Sequence, residues 1–169
     1  GVALAGASAL VLLGTLDLEE AWAALDAETL VFLFGVMVLN AHLAYAGFFG
    51  WVAQGLLRLA RTPLALLLFL TFGSGVLSAL FLNDTMALLL TPLVLSVARG
   101  LGLNPVPYLL ALMGAVNTGS LMTPTGNPQN LVVASLSGLS YLEFVQALWL
   151  PALLGLGLQV ALLALLYPE

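Results

Sequence analysis

Two polar stretches interrupt the long apolar runs of this chain. One is Asn83-Asp84-Thr85, inside LSALFLNDTMALLLTPLVLS; the other is NTGSLMTPTGNPQN, from Asn117 to Asn130. Their residue types suit ion chemistry at helix ends. Asn, Asp and Thr are good N-caps, so a helix is expected to begin after Asn83-Asp84-Thr85. Asn127 followed by Pro128 is a second start signal, with proline at the first helical position. A helix N-terminus exposes N–H groups and the positive end of its dipole, so two facing ends can hold an anion without arginine. Helices ending near Leu82 and Asn117 would leave free carbonyls there, which suit Na⁺. Gly119 and Gly126 are expected to take left-handed conformations and let the backbone approach a ligand closely. Thr123, Thr125, Asn127, Gln129 and Asn130 add side-chain donors and acceptors. Asp84 is the one carboxylate set deep in an apolar run. It is an N-cap, an ion ligand or a proton carrier, and these roles are compatible.

The solvent around these stretches follows from composition. Of 169 residues, 62% are hydrophobic and 7% charged, against about 25% charged in soluble domains. Mean hydropathy is +1.15. Such a chain cannot cover its surface with polar groups, so lipid is its solvent and an all-α membrane protein is expected. Polar backbone at membrane depth survives only where protein or a water-filled cavity surrounds it. Cysteine is absent, and three basic residues with a net charge of −5 give no nucleic-acid footprint. The first apolar run has no basic leader, so a signal peptide is not expected.

Taken in order, residues 1–28 read as a short apolar helix and an acidic outer loop with Asp17, Glu19, Glu20, Asp26 and Glu28. Residues 29–169 read as one unit. It comprises a spanning helix 29–49, an interfacial helix 50–61, a hairpin 63–99, a broken helix 105–137 and a last spanning helix 141–167. His42, the sole histidine, is either a proton carrier or, more simply, bonded to a neighbour. Arg58 and Arg61 are three apart and share a helix face. Thr91-Pro92 reads as a kink whose hydroxyl satisfies a freed carbonyl.

The basic residues Arg58, Arg61 and Arg99 mark the cytoplasmic side. Met86–Ala98 has about 20 Å of helix at ~1.5 Å per residue, too short to cross. Segment 63–99 is therefore expected to enter from the cytoplasm, turn at Asn83-Asp84-Thr85 in mid-membrane, and return. That leaves three crossings from Thr29 to Tyr167, so a second copy of the unit would be inverted.

LFG at Leu33–Gly35, LSALFLNDTMALLLTPLVL at Leu77–Leu95 and TPTGNPQNL at Thr123–Leu131 resemble the ion-transporter superfamily. That superfamily includes arsenite efflux pumps, citrate transporters, sodium/proton antiporters and divalent-anion/sodium symporters. The resemblance covers about Thr29 to Tyr167 and matches the first of two inverted repeats. It implies a re-entrant hairpin and a discontinuous helix, one half of an inverted-repeat transporter. It also implies substrate contacts at Asn83, Thr85, Thr125, Gly126, Asn127 and Asn130, and Na⁺ or H⁺ coupling at Asn83, Asp84, Gly119 and Thr123. The anion symporters have Ser-Asn-Thr at the hairpin tip; Asp84 departs from that pattern and would repel a dicarboxylate. The implied partners are a small anionic substrate, the lipid bilayer and a second inverted repeat, in the same polypeptide or on a partner chain. A homodimer of the full transporter in the inner (cytoplasmic) membrane is implied too, with no cofactor beyond a possible Na⁺.

The leading expectation is a secondary transporter, or its N-terminal half, for a small anion or oxyanion coupled to Na⁺ or H⁺ by alternating access. One alternative is a Na⁺/H⁺ antiporter with Asp84 exchanging the ions. Another is a non-transporting membrane scaffold, which would not need two facing breaks with a deep Asp. An enzyme is not expected: H-E-x-x-H and G-x-S-x-G are absent, and His42 leaves Ser120 and Ser135 without an evident base.

Overall fold

The computed structural model describes residues 1–59 and 62–168. Arg61 and the Arg58 side chain lie outside the described residues, and so does their expected common face. Helix α1 is Val2–Leu12 and is exposed except at the half-buried Val11. The acidic stretch expected as a loop holds a short helix, α2 (Leu18–Ala23). Its start is fixed by a reciprocal capping box: Glu20 N–H donates to Asp17 Oδ1 at 2.7 Å and Asp17 N–H to Glu20 Oε2 at 3.1 Å. Helix α3 is Ala27–Tyr45, capped by Asp26. The Thr29 hydroxyl at 2.6 Å, followed by the Thr29 N–H at 3.1 Å, holds the Asp26 carboxyl below its ordinary value. That contribution is present above the ordinary carboxylate range and lost as pH falls through the lowered value.

Gly47, at φ 77°, ends α3 earlier than expected and turns the chain into α4 (Phe48–Leu59). Helix α5 is Pro63–Leu80, with Thr62 as N-cap and Pro63 in the first turn. Helix α6 is Asn83–Gly100. The turn between them is Phe81-Leu82, not the polar triplet. Phe81 is extended, and its ring packs edge-on against Phe48 and Phe49 at centroid distances of 6.2 and 5.3 Å. The break is thus held by aromatic packing, with Phe49 buried and Phe48 and Phe81 half-buried, and Asn83-Asp84-Thr85 forms the first turn of α6, with Leu82 at the cap position. The Thr91 hydroxyl donates to Ala87 O at 2.5 Å, one residue before the Leu88 carbonyl that Pro92 leaves free.

Helix α7 is Pro105–Ser120, a 3-10 turn covers Pro124–Gly126, and α8 is Pro128–Ser137. Asn117–Ser120, expected in the break, are helical. Gly138 at φ 69° leads into α9 (Tyr141–Leu166), which opens on a Ser140/Glu143 capping box. Helices α3, α5 and α9 are each long and apolar enough to cross a membrane.

Helices α5 and α7 lie side by side and run the same way. Pro63 and Leu67 line one cavity with Pro107 and Tyr108. Further along, Gly75 meets Gly119, the Ser78 hydroxyl donates to Val116 O, and the Thr123 hydroxyl donates to Ala79 O. The contact is backbone on backbone: a Cβ at Gly119 would fall inside the Gly75 main chain. Neither Gly119 nor Gly126 has positive φ. Both are glycine because another backbone occupies the space, Gly75 in one case and Ser120 in the other. Helix α9 runs antiparallel to α7. Gln159 Nε2 donates to Ala111 O at 2.7 Å, and Gly155 faces Thr118 near the middle of α9. The same cavity that joins the N-terminal ends of α5 and α7 is closed by Leu163, Tyr167 and Pro168. The core between these helices includes Met86, Leu90, Ala111, Leu112 and Val116.

Gly119→Ala is expected to cost about 1–3 kcal/mol, the range for overpacking. Gly75→Ala should cost less, because its methyl first meets the movable Leu156 side chain, at 2.9 Å. Thermal unfolding of the two variants in detergent compares them. Equal melting temperatures would deny the Gly119–Gly75 contact.

Candidate functional site

Both breaks lie against one another. Asn83 Nδ2, in the first turn of α6, donates to Asn117 Oδ1 at 3.3 Å, while Asn117 Nδ2 donates back to Met113 O at 2.8 Å. Asn117 neighbours Thr118, which faces Gly155, so the hairpin tip sits level with the middle of α9.

The expected site residues separate into two groups. The first is turned inward and spends its polar atoms on the chain itself. Asn127 is buried; its Oδ1 caps α8 by accepting from Asn130 N–H at 2.8 Å, as the Asn-Pro signal predicts, and its Nδ2 donates to Ser120 Oγ at 3.1 Å. Asn130 Nδ2 donates to Ser120 O and Thr123 O, each at 3.0 Å, and lies 3.3 Å from Leu121 O. Thr123 is buried, with its hydroxyl on Ala79 O. Gly119 and Gly126 are buried against Gly75 and Ser120. This group closes the break of 121–127: the carbonyls that α7 leaves unpaired at its end are collected by one asparagine amide.

The second group faces outward. Asp84 is exposed in the first turn of α6, and Asn83 and Thr85 are half-buried beside it. Asp84 does not cap the helix, contrary to expectation; its backbone N–H donates to Asn83 Oδ1 at 2.9 Å. Asn117 is exposed on the same side of the Asn83 contact. A carboxylate, two amides and the N–H groups of a helix start thus share an open face. Chemically this is a set of acceptors for a cation beside donors for an anion. Thr125 stands apart, with its hydroxyl 3.1 Å from the Tyr141 hydroxyl at the start of α9. Exposed Gln129 and His42 fall outside both groups; the His42 ring Nδ1 donates to Val38 O of its own helix at 2.8 Å.

Sequence reasoning missed Ser120, Tyr141 and Gln159 as members of this network. Ser120 sits where the chain was read as loop, and the pairings of Tyr141 and Gln159 come from helix crossing, which no local signal carries. Among the described residues, Asn40 Oδ1 and Nδ2 and Thr71 Oγ1 are buried without a hydrogen-bond partner.

Removing the Asn130 amide should strip Ser120 O and Thr123 O of their 3.0 Å donor, leaving each with one long contact of 3.4 Å, from Asn127 Nδ2 and from Gly126 N–H. Asn130→Ala and Asn127→Leu are each expected to lower stability by about 1–3 kcal/mol, read as an earlier thermal transition. Unchanged melting in both would mean that these amides do not hold the break. The burial of Asn127 makes Asn127→Leu a stability variant before it is a probe of binding.

The family model described as citrate transporter matches residues 1–169. Among curated proteins, the chain is 36% identical over 166 residues to the silicon efflux transporter LSI3 of Oryza sativa subsp. japonica, covering 98% of this chain and 34% of that one. It is 28% identical over 169 residues to the putative transporter arsB of Dictyostelium discoideum, covering all of this chain and 30% of that one. It is 34% identical over 128 residues to the inner membrane protein YbiR of Escherichia coli K12, covering 75% of this chain and 34% of that one. The chain thus spans about a third of the length of these relatives. No solved structure matches it significantly.

Proposed function

This chain belongs to the citrate transporter family, and on that premise we propose that it is part of a secondary active transporter moving a small anion or oxyanion by alternating access, coupled to Na⁺ or H⁺. The observation that carries the reading is the Asn83–Asn117 contact. It brings two interrupted helices together level with the middle of α9, with Asp84 exposed beside it. A carboxylate at that depth costs about 2.5–3.5 kcal/mol on insertion scales, and a scaffold would have no use for it.

The same contact supports a re-entrant hairpin. Helix α5 is long enough to cross, but its tip stops against Asn117 rather than at the outer end of α8. Asp26, at the start of α3, accepts from Ser135 near the end of α8 at 3.4 Å, which puts that outer end beside the acidic stretch. The exposed face of Asn83, Asp84 and Asn117 would be completed by a second, inverted hairpin and broken helix, because a buried anion needs polar groups all round. An oxyanion or its neutral acid is favoured over a dicarboxylate by Asp84, and the silicon efflux relative points the same way. The cytoplasmic membrane is the expected location, in line with the Escherichia coli relative.

The test uses the full-length polypeptide in liposomes, with silicic acid, arsenite and citrate as substrates and imposed Na⁺ or pH gradients. Because Asp84 is exposed and caps nothing, Asp84→Asn should melt within a few degrees of the wild type. It should abolish gradient-driven uptake, a loss of 100-fold or more. Full gradient-driven uptake by the variant would remove Asp84 from the coupling site.

A further inference from the structure

Asn40 is 1% exposed, and among the described residues neither its Oδ1 nor its Nδ2 has a hydrogen-bond partner. It lies on α3, a helix long and apolar enough to cross, and an unpaired amide at membrane depth is costly. Turning the side chain does not cure it. Nδ2 could donate to the carbonyl one turn back, as Asn117 Nδ2 does to Met113 O. Oδ1 has no such escape, because the N–H groups of a helix interior are spent within the helix. Its donor has to come from outside α3. On α4 and α8, the helices packed against α3, the described polar side chains are spent or turned away. Asn130, Ser135 and Ser137 donate elsewhere, and Trp51, Gln54 and Gln129 are exposed.

Helix α3 is also loosely held. The residues it buries are Thr29 and Asn40. A Cβ at Gly35 would meet nothing within 4 Å, whereas one at Gly119 would fall inside the Gly75 backbone. Among the described residues, the hydrogen bond that joins α3 and its cap to the helices after residue 62 is the 3.4 Å contact from Ser135 Oγ to Asp26. Close approach and interhelical hydrogen bonds fix register in lipid, and α3 has little of either. A change in its seat would not stay local. Helix α3 passes through Gly47 into α4, whose Phe48 and Phe49 pack on Phe81, two residues before Asn83.

We propose that Asn40 is a positioning residue: its unpaired amide destabilises the present seat of α3 and so keeps a second seat, in which the amide is hydrogen-bonded, within reach during transport. The proposal rests on the alternating-access reading and adds to it what sets the balance between two states. One unpaired buried amide weights an equilibrium against its state by about 5- to 150-fold. Removing the amide should therefore leave the protein in the present seat.

The test is Asn40→Leu in the full-length protein, which keeps the approximate shape and drops both polar atoms. Nitroxides attached at positions 34 on α3 and 133 on α8, where Phe34 and Val133 are exposed, report the seat as a distance. With Asn40 in place, two distances should appear in liposomes; Asn40→Leu should collapse them to one. In detergent, Asn40→Leu should melt at or above the wild-type temperature. Its maximal uptake rate should fall tenfold or more, with the substrate KM within twofold. Earlier melting would mean that the amide is bonded in the present seat, directly or through water, and would overturn the proposal. A single distance with Asn40 in place would overturn it too, and so would an unchanged maximal rate or an effect confined to KM. If the wild type carries none of the substrates tested while its two distances collapse in Asn40→Leu, the transport reading falls and the two seats of α3 stand.

Discussion

Inside a bilayer the carbonyls at the end of an interrupted helix have no water to turn to. In this chain they turn to Asn130, whose amide spans Ser120 O and Thr123 O, and to Asn127, which caps α8 while donating to Ser120. Satisfying those groups from within allows the chain to stop a helix at Ser120 and start another at Pro128. The hairpin meets the same demand differently. Its turn is two extended residues, Phe81-Leu82, with the Phe81 ring locked between Phe48 and Phe49. One break is held by amides and the other by aromatics.

Their alignment comes from α5 and α7. The two helices touch backbone to backbone at Gly75 and Gly119, and the hydroxyls of Ser78 and Thr123 bond across to Val116 and Ala79. Without a hydrophobic force between helices in lipid, close approach and interhelical hydrogen bonds decide the register. A slip by one turn, about 5.4 Å, would carry Asn83 away from Asn117. Helix α9 adds a third constraint through Gln159 and through Gly155, which leaves room for Thr118. The polar face that remains, Asn83, Asp84 and Asn117, is what this packing leaves uncovered.

The helical membrane character was legible, because composition and uninterrupted apolar runs report the solvent directly. The Asn127-Pro128 start was legible as well, since capping is a local interaction. What failed was the equation of polar residues with broken backbone. Asn83-Asp84-Thr85 and Asn117–Ser120 are polar and helical, whereas Phe81-Leu82 is apolar and extended. In lipid, tertiary contacts decide where a helix breaks, and those contacts lie 30 or more residues away, as with Phe48 and Phe81. The two glycines failed for a related reason. A glycine needed for positive φ and one needed for an interhelical contact look alike in sequence, and Gly119 and Gly126 are of the second kind.

The depth of the hairpin tip separates a re-entrant hairpin from a helix that crosses completely. A nitroxide attached in turn at each position from Leu82 to Leu88, in the reconstituted full-length protein, reports depth through the balance of collisions with oxygen and with a water-soluble nickel complex. With the tip level with the middle of α9, positions 83 and 84 should lie about 10 Å or more below both headgroup layers and still collide with the nickel complex through an aqueous cavity. Depth should then shift steadily toward the cytoplasmic face along α6. A label at position 83 that sits at the outer headgroup level, with α5 crossing completely, would contradict it.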